Sequence, residues 1–355
     1  MSARFTTVDN AKRTNMTLTA PSEIAQRHLS LFDNKHLLLA GELEDDFVQQ
    51  LSQRTASVIV FTTHHGFATR QKKASITVHA GATLEIDQHI DIVLFYWPKT
   101  KAEADYLLAM LTHTLGKGVD WMVVGENRSG IKSIEKRFAP YGPISKHDAA
   151  RRCSMYYGTC YTPASSFSLE DWFTDYPLTI GNTSLTIRAL PGVFSQKSLD
   201  DGTELLLRHL PSIKGNILDI GCGAGVIGSY ILATHPDCQV TLVDVNYLAI
   251  ASSQATLAIN GLEGQVLSSD MLDAVEAKFD TIISNPPFHE GLETRYSPTE
   301  SLLRNVPSHL TMGGQLIIVA NSFLRYPPII KDSLGQCDTL AKTRRFAVYQ
   351  AYKIQ

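Results

Sequence analysis

The segment ILDIGCGAGVIG, residues 217–228, decides how the second half of this chain folds. A short apolar strand runs into Gly221, Gly223 and Gly225, after which VIGSYILAT carries helical spacing. Glycines between a strand and a helix allow a tight turn, let the backbone approach a ligand closely, and pack helix against strand. The next strand, CQVTLVDVN, ends at Asp244. A carboxylate about 20 residues beyond the glycines is placed to accept both ribose hydroxyls of a nucleoside.

Taken alone, the turn has two readings. Gly223-x-Gly225-x-x-Gly228 also satisfies the dinucleotide fingerprint, so a nicotinamide or flavin enzyme stays open. Asp219, two residues before the first glycine, either organises the turn or meets a cationic ligand. It tips the balance toward S-adenosylmethionine, which has no pyrophosphate to repel and carries an ammonium to attract. Cys222, between two glycines, reads as a small packing residue. A third strand, in VLSSDML, ends at Asp270. That carboxylate either accepts the adenine amino group or caps a helix.

Working outward, strands and helices alternate. YLAIASSQATLAINGL is a helix closed by Asn260-Gly261, and FDTIISN and GGQLIIVAN are further strands. This order builds a parallel sheet with right-handed crossovers. The first half repeats the grammar: HLLLAG, SVIVF, DIVLFYW and DWMVV read as strands, TKAEADYLLAMLTHTLGKG as a helix. DIVLFYWP (91–98) aligns with DTIISNPP (280–287) in its opening Asp, apolar core and closing Pro. We expect two copies of one α/β fold, with Tyr96 where the second copy has Asn285 and LLLAGEL in place of the glycine turn. The expected divisions are a loosely ordered leader over 1–20, an N-terminal domain over 21–165 and a C-terminal domain over 166–355.

Composition bounds the rest. The 355 residues suffice for two domains, and 44% hydrophobic with 19% charged residues describe a globular protein. No apolar run approaches the roughly 18 residues of a membrane span, and the start has no apolar signal region. Cys153, Cys160, Cys222, Cys238 and Cys337 show no CxxC spacing, so reduced thiols in a cytoplasmic protein without a metal are expected. A net charge of −3 argues against indiscriminate nucleic-acid binding and leaves room for a local basic patch.

The strand FDTIISN ends in Asn285-Pro286-Pro287-Phe288, which forfeits two backbone donors. An exocyclic amine on a base is a poor nucleophile, because its lone pair is delocalised into the ring. Two acceptors that draw both N–H bonds into a pyramidal geometry would aim that lone pair at a sulfonium methyl. The Asn285 amide oxygen and the Pro286 carbonyl are candidates for the pair, and Phe288 offers a face on which an extruded base can stack. Catalysis of this kind is positioning and electrostatics, with no covalent intermediate. His289 bridges to a nucleic acid or packs the loop, with no part in proton transfer.

DIGCGAG together with SNPPFH resembles the class I S-adenosylmethionine-dependent methyltransferases that act on exocyclic or amide nitrogens. YWPK, VVGENRSGIKS, DAARRC, LPGVFS, LDDGTELLL and IISNPPFHEG are similar to the RsmC family of bacterial 16S ribosomal RNA guanine-N2 methyltransferases. The resemblance implies two tandem Rossmann-like methyltransferase domains, each a seven-stranded, mostly parallel sheet with helices on both faces, the N-terminal one degenerate. It implies methyl transfer from S-adenosylmethionine, leaving S-adenosyl-L-homocysteine, to N2 of one guanine in the 16S rRNA of the small (30S) ribosomal subunit. A cytoplasmic monomer is expected. LPGVFSQKSLDDGTELLL (190–207) resembles the segment that closes over the cofactor, with Phe194 and Ser195 as contacts; an ordinary lead-in to the sheet is the alternative.

Rivals are a guanine-N2 methyltransferase of 23S rRNA, a protein glutamine N5-methyltransferase, a nicotinamide dehydrogenase and a non-catalytic RNA-binding protein. Phosphate contacts position such a substrate. Candidates to make them are Arg295 beyond the Pro-Pro motif, Arg128 and Lys132, Arg151-Arg152, and Arg344 with Arg345.

Overall fold

Strands buried on both faces of a parallel sheet are continuous apolar runs, and the chain supplies such runs twice. The computed structural model describes residues 17–41, 43–286 and 298–354. Pro287, Phe288, His289, Arg295 and residues 1–16 of the expected leader lie outside the described residues.

The first half contains α1 (Ala20–Gln26), β1 (His36–Gly41), α2 (Val48–Leu51), β2 (Ser57–Thr62), α3 (His65–Lys73), β3 (Thr77–Ala80) and β4 (Ile92–Tyr96). It continues with α4 (Lys101–Leu115), β5 (Asp120–Glu126), α5 (Ile134–Phe138), β6 (Ile144–Ala150) and β7 (Cys153–Thr159). A hairpin, β8 (Thr174–Ile180) and β9 (Thr183–Ala189), follows. The second half runs α6 (Asp201–Arg208), β10 (Asn216–Ile220), α7 (Val226–Thr234), β11 (Gln239–Asp244), α8 (Tyr247–Ile259), β12 (Gln265–Ser268) and β13 (Phe279–Ser284). It ends with α9 (Pro298–His309), β14 (Leu310–Asn321), α10 (Tyr326–Leu334), β15 (Asp338–Lys342) and β16 (Phe346–Tyr352).

The two sheets have one topology. The first is ordered β3-β2-β1-β4-β5-β7-β6 and the second β12-β11-β10-β13-β14-β16-β15. Adding nine to each number of the first gives the second. Five strands are parallel, and an antiparallel pair closes one edge. The aligned aspartates act alike in both copies: Asp91 Oδ2 accepts from His36 N at 2.7 Å, and Asp280 Oδ2 accepts from Asn216 N at 2.9 Å. Each ties the start of the fourth strand to the start of the first. The internal repeat read from DIVLFYWP and DTIISNPP is therefore a repeat in space.

Sequence reading missed β3, the edge pairs and the hairpin, whose strands are short or carry exposed polar residues. Because β7 belongs to the first sheet, the crossing between halves falls after Thr159. The hairpin packs on α8, where Ser252, Thr256 and Asn260, spaced four apart, bond backbone N–H groups of Leu190, Arg188 and Thr186. One hydrophobic core runs through both halves, from Phe95 and Trp121 through Tyr106, Leu178 and Ile187 to Ile217 and Leu242. Two further clusters cover the outer faces of the sheets. No described helix is long and apolar enough to cross a membrane.

Asp280 also accepts from Thr311 Oγ1 through its second oxygen, at 2.9 Å, so it joins β10, β13 and the start of β14. Asp280→Ala should cost about 1–3 kcal/mol, the range for leaving a donor unpaired. The shift in urea midpoint at constant m-value measures it.

Candidate active site

The strand order of the second sheet reverses at β10, which has β11 on one side and β13 on the other, both parallel to it. Ligands of open α/β sheets sit outside the carboxyl ends of the strands at such a switch point. A cavity of about 480 Å³ opens there. Gly221 and Gly223 form its floor, Val243 to Asn246 one wall, Ser269 to Met271 the next, and Ser284 to Pro286 the far side.

Gly221, Gly223 and Gly225 all lie in the left-handed region, with φ of 70°, 55° and 77°. At Gly225 a Cβ would stand 3.1 Å from Ser253, so this glycine serves the packing of α8 and does not line the cavity. Four of the turn's donors are already committed. Gly221 N and Cys222 N donate to Val243 O, Gly223 N to Asp244 Oδ2 and Gly225 N to Cys222 O, all within 3.0 Å. A pyrophosphate cradle needs such N–H groups free. Among the described residues, no Lys, Arg or His lines the cavity, while two carboxylates do. The lining disfavours the dinucleotide reading, and a cationic nucleoside ligand fits.

Asp219 corrects the sequence reading. It is fully buried behind the turn, outside the cavity lining, with Oδ2 accepting from Gly228 N at 3.0 Å. Burial pushes its carboxyl up to about 7. It organises the turn and does not line the cavity, so the preference for a cation rests on the two lining carboxylates. Cys222 packs as expected, its Sγ 3.2 Å from Ser253 Oγ.

Asp244 is held from both sides. Its Oδ2 takes the Gly223 N–H at 3.0 Å and its Oδ1 the Asn246 N–H at 2.9 Å. Burial raises its carboxyl above the usual range, and these bonds pull it back. The remaining lone pairs are fixed in direction at the cavity wall. Asp270 lines the cavity beside it. No helix follows Asp270, since 271–274 form turns, so the helix-cap alternative falls away. Ser269 closes this turn instead, its Oγ accepting from Ala274 N at 3.1 Å. Phe194 stands at the cavity mouth, 57% exposed, whereas Ser195, with φ of 59°, lies outside the lining.

Asn285 carries the geometry that matters most. Its Nδ2 donates to Thr203 Oγ1 at 2.8 Å and to Asp200 Oδ2 at 3.1 Å. A carboxylate only accepts, so Asp200 fixes which end of the amide points toward α6. Oδ1 is left buried at the cavity wall with no partner among the described residues. Asp200 caps α6 with the same oxygen, accepting from Gly202 N and Thr203 N at 2.9 and 3.0 Å. Asp200 and Thr203 anchor the candidate site, and sequence reasoning missed both. The available signal was an Asp-x-x-Thr helix start in a segment already set beside the cofactor.

The expected RNA contacts divide between two places. Arg128 and Lys132 are exposed past β5, with Arg128 bonded to Glu126. Arg344 and Arg345 are exposed at the β15–β16 turn, at the same end of the sheet as the cavity. Arg345 lies over the Phe346 ring and 3.5 Å from Asp201.

Fold and site define the class. Residues 184–350 match the family model described as methyltransferase small domain, and residues 22–176 its N-terminal counterpart, methyltransferase small domain N-terminal. The chain belongs to the ribosomal RNA small subunit methyltransferase C family. It is 50% identical over 339 residues to the member from Aliivibrio salmonicida, covering 95% of this chain and 100% of that one. It is 51% identical to the Vibrio vulnificus member (94% and 99% covered) and 45% to that of Photobacterium profundum (95% and 100%). Among solved structures, the T. thermophilus 16S rRNA methyltransferase RsmC, in complex with AdoMet and guanosine, superposes with a TM-score of 0.81. At 23% identity, with 90% of this chain and 88% of that one covered, this likeness shows the shared fold.

Thr203→Val removes one of the two anchors of the Asn285 amide. It should lower kcat up to about tenfold, the worth of a neutral hydrogen bond. Cofactor affinity, read by calorimetry, should stay within about twofold. Asp244→Ala should do the opposite, raising the cofactor Kd by about 10- to 100-fold through loss of charged hydrogen bonds.

Proposed function

We propose that this chain transfers a methyl group from S-adenosylmethionine to the exocyclic N2 of a guanine in 16S rRNA of the small ribosomal subunit. The observation that carries this reading is the buried Asn285 Oδ1, without a partner among the described residues, beside a cavity lined by two carboxylates. An acceptor in that state costs free energy unless a ligand supplies its donor. The family supplies the substrate class, since its members are named for the small-subunit RNA.

Asp244 would hold the ribose hydroxyls, Asp270 the adenine amino group, and Gly221, Gly223 and Phe194 the body of the cofactor. Bound S-adenosylmethionine supplies an electrophilic methyl on a sulfonium sulfur. The protein's own part is to present the amine. Asn285 Oδ1 and the Pro286 carbonyl accept the two N–H bonds, withdraw the nitrogen lone pair from the ring and aim it inward. Because Pro286 has no N–H and a fixed φ, its carbonyl sits on a stiff segment. The acceptors are prepositioned, so little reorganisation accompanies the reaction. The departing proton leaves to water once the methyl has moved, and S-adenosyl-L-homocysteine remains as product. Pro287 and Phe288 complete the motif, Phe288 as the face for a flipped guanine.

Within this reading, 21–165 docks RNA and supports the fold while 166–355 is catalytic. Arg128, Lys132, Arg344, Arg345 and Arg295 meet phosphates. Arg128 and Arg345 each sit beside a carboxylate, which an arriving phosphate would displace. The protein works as a monomer in the cytoplasm, where its substrate is assembled.

Incubation with tritiated S-adenosylmethionine and purified particles, followed by nucleoside analysis, tests the reading. Label should appear in N2-methylguanosine from small-subunit particles. Label in large-subunit RNA would favour the 23S enzyme, and label in protein the glutamine methyltransferase. Asn285→Ala should lower transfer by about 100-fold or more while leaving cofactor affinity nearly unchanged. Arg345→Ala should raise KM for particles and flatten its salt dependence by about one counterion.

A further inference from the structure

The first half has no glycine turn of its own, yet it touches the cofactor cavity of the second half at three walls. The β2–α3 turn runs antiparallel to the segment after Asp244. His65 N donates to Val245 O at 2.8 Å and Tyr247 N to Thr63 O at 2.7 Å, and His64 and Asn246 form a bridge pair. His65 Nδ1 lies 3.1 Å from Tyr247 OH. Val245 and Asn246 line the cavity, and Asn246 N is the donor that fixes Asp244 Oδ1. The turn therefore bonds the segment that orients Asp244.

A second contact falls on Asp270. Gly66 has an ordinary φ, but a Cβ placed there would stand 2.7 Å from Asp270 Oδ2 and 3.3 Å from His64 Cε1. A side chain at 66 would thus displace the carboxylate of the catalytic half. Gly66 is the second residue of α3, so the Asp270 carboxylate rests against a helix N-terminus, which favours negative charge. His64 caps that helix, its Nδ1 accepting from Phe67 N at 3.2 Å. The third contact is at Gly192, a lining residue, where a Cβ would come 2.9 Å from Glu103 Oε2 of α4.

We propose that Thr63–Gly66 of the N-terminal half is a positioning element for the cofactor, setting the adenosine end of the site by holding Val245–Tyr247 and seating the Asp270 carboxylate. The degenerate copy thereby completes the pocket of its active twin. This rests on the assignment of the cavity to S-adenosylmethionine, and it places the contribution of the first half in cofactor affinity rather than in RNA docking alone.

Equilibrium binding of S-adenosyl-L-homocysteine to the full chain, by calorimetry, is the test. Gly66→Ala should push the Asp270 carboxylate aside and raise Kd by about tenfold, with methylthioadenosine weakened by a similar factor and kcat at saturating cofactor within about twofold. In an Asp270→Ser background, where the clash is gone, the same Gly66 change should alter Kd by less than about twofold. Tyr247→Phe, which keeps the ring and loses only the His65 contact, should raise Kd about two- to fivefold. Equal losses from Gly66→Ala in both backgrounds, or none in either with Tyr247→Phe also silent, would overturn the proposal. A wild-type chain that binds no S-adenosyl-L-homocysteine would overturn the cofactor assignment itself, which keeps the two failures apart.

Discussion

Two hydrogen bonds from one amide group fix the geometry of the candidate active site. Asn285 Nδ2 is spent on Asp200 and Thr203, and the consequence is an amide oxygen that is buried, fixed in direction and without a partner among the described residues. Had the amide been free to turn, its NH2 would face the cavity half of the time and repel the donors of an exocyclic amine. The anchor is a helix cap, so its rigidity is that of the first turn of α6 and of the sheet beneath it. Local structure, packing and chemistry meet in one carboxylate oxygen, Asp200 Oδ2, which serves both the helix and the amide.

The first half shows the same device with its chemistry removed. Its α1 packs on β5 and β7 as α6 packs on β14 and β16. Ser22 stands three residues past the cap of α1, where Thr203 stands past the cap of α6. Tyr96, at the position of Asn285, bonds Ser22 through its OH at 2.7 Å. The hydrogen bond from the strand end to the helix persists, but a phenol hydroxyl has replaced an amide, and no free carbonyl remains. Burial pushes the Tyr96 hydroxyl well above its usual pKa, so it stays neutral. The first copy kept the scaffold contact and lost the acceptor.

Much of this was legible in the sequence because the deciding features are local. Buried parallel strands such as IVLFY and LIIVA are unbroken apolar runs, and the glycine turn and Asn-Pro-Pro are contiguous. The alignment of Tyr96 with Asn285 needed only the flanking Asp and Pro. What stayed hidden depends on direction or distance. Asp219 is adjacent to a lining residue, Ile220, yet faces the opposite side of β10, because successive side chains of a strand alternate. Asp200 and Thr203 lie more than 80 residues before Asn285, and nothing in their spacing announces the partner. The contact of Gly66 with Asp270 spans both halves and is invisible until they are docked. The helix-cap reading of Asp270 failed because the chain after it turns rather than coils.

The account stands on the direction of one amide. A structure of the ternary complex with S-adenosyl-L-homocysteine and a guanosine-containing RNA fragment would show it directly. The guanine N2 should lie roughly 2.7–3.2 Å from both Asn285 Oδ1 and the Pro286 carbonyl. Asn285 Nδ2 should remain on Asp200. An amide turned so that Oδ1 faces α6, or a guanine bound with N2 away from these two oxygens, would contradict it.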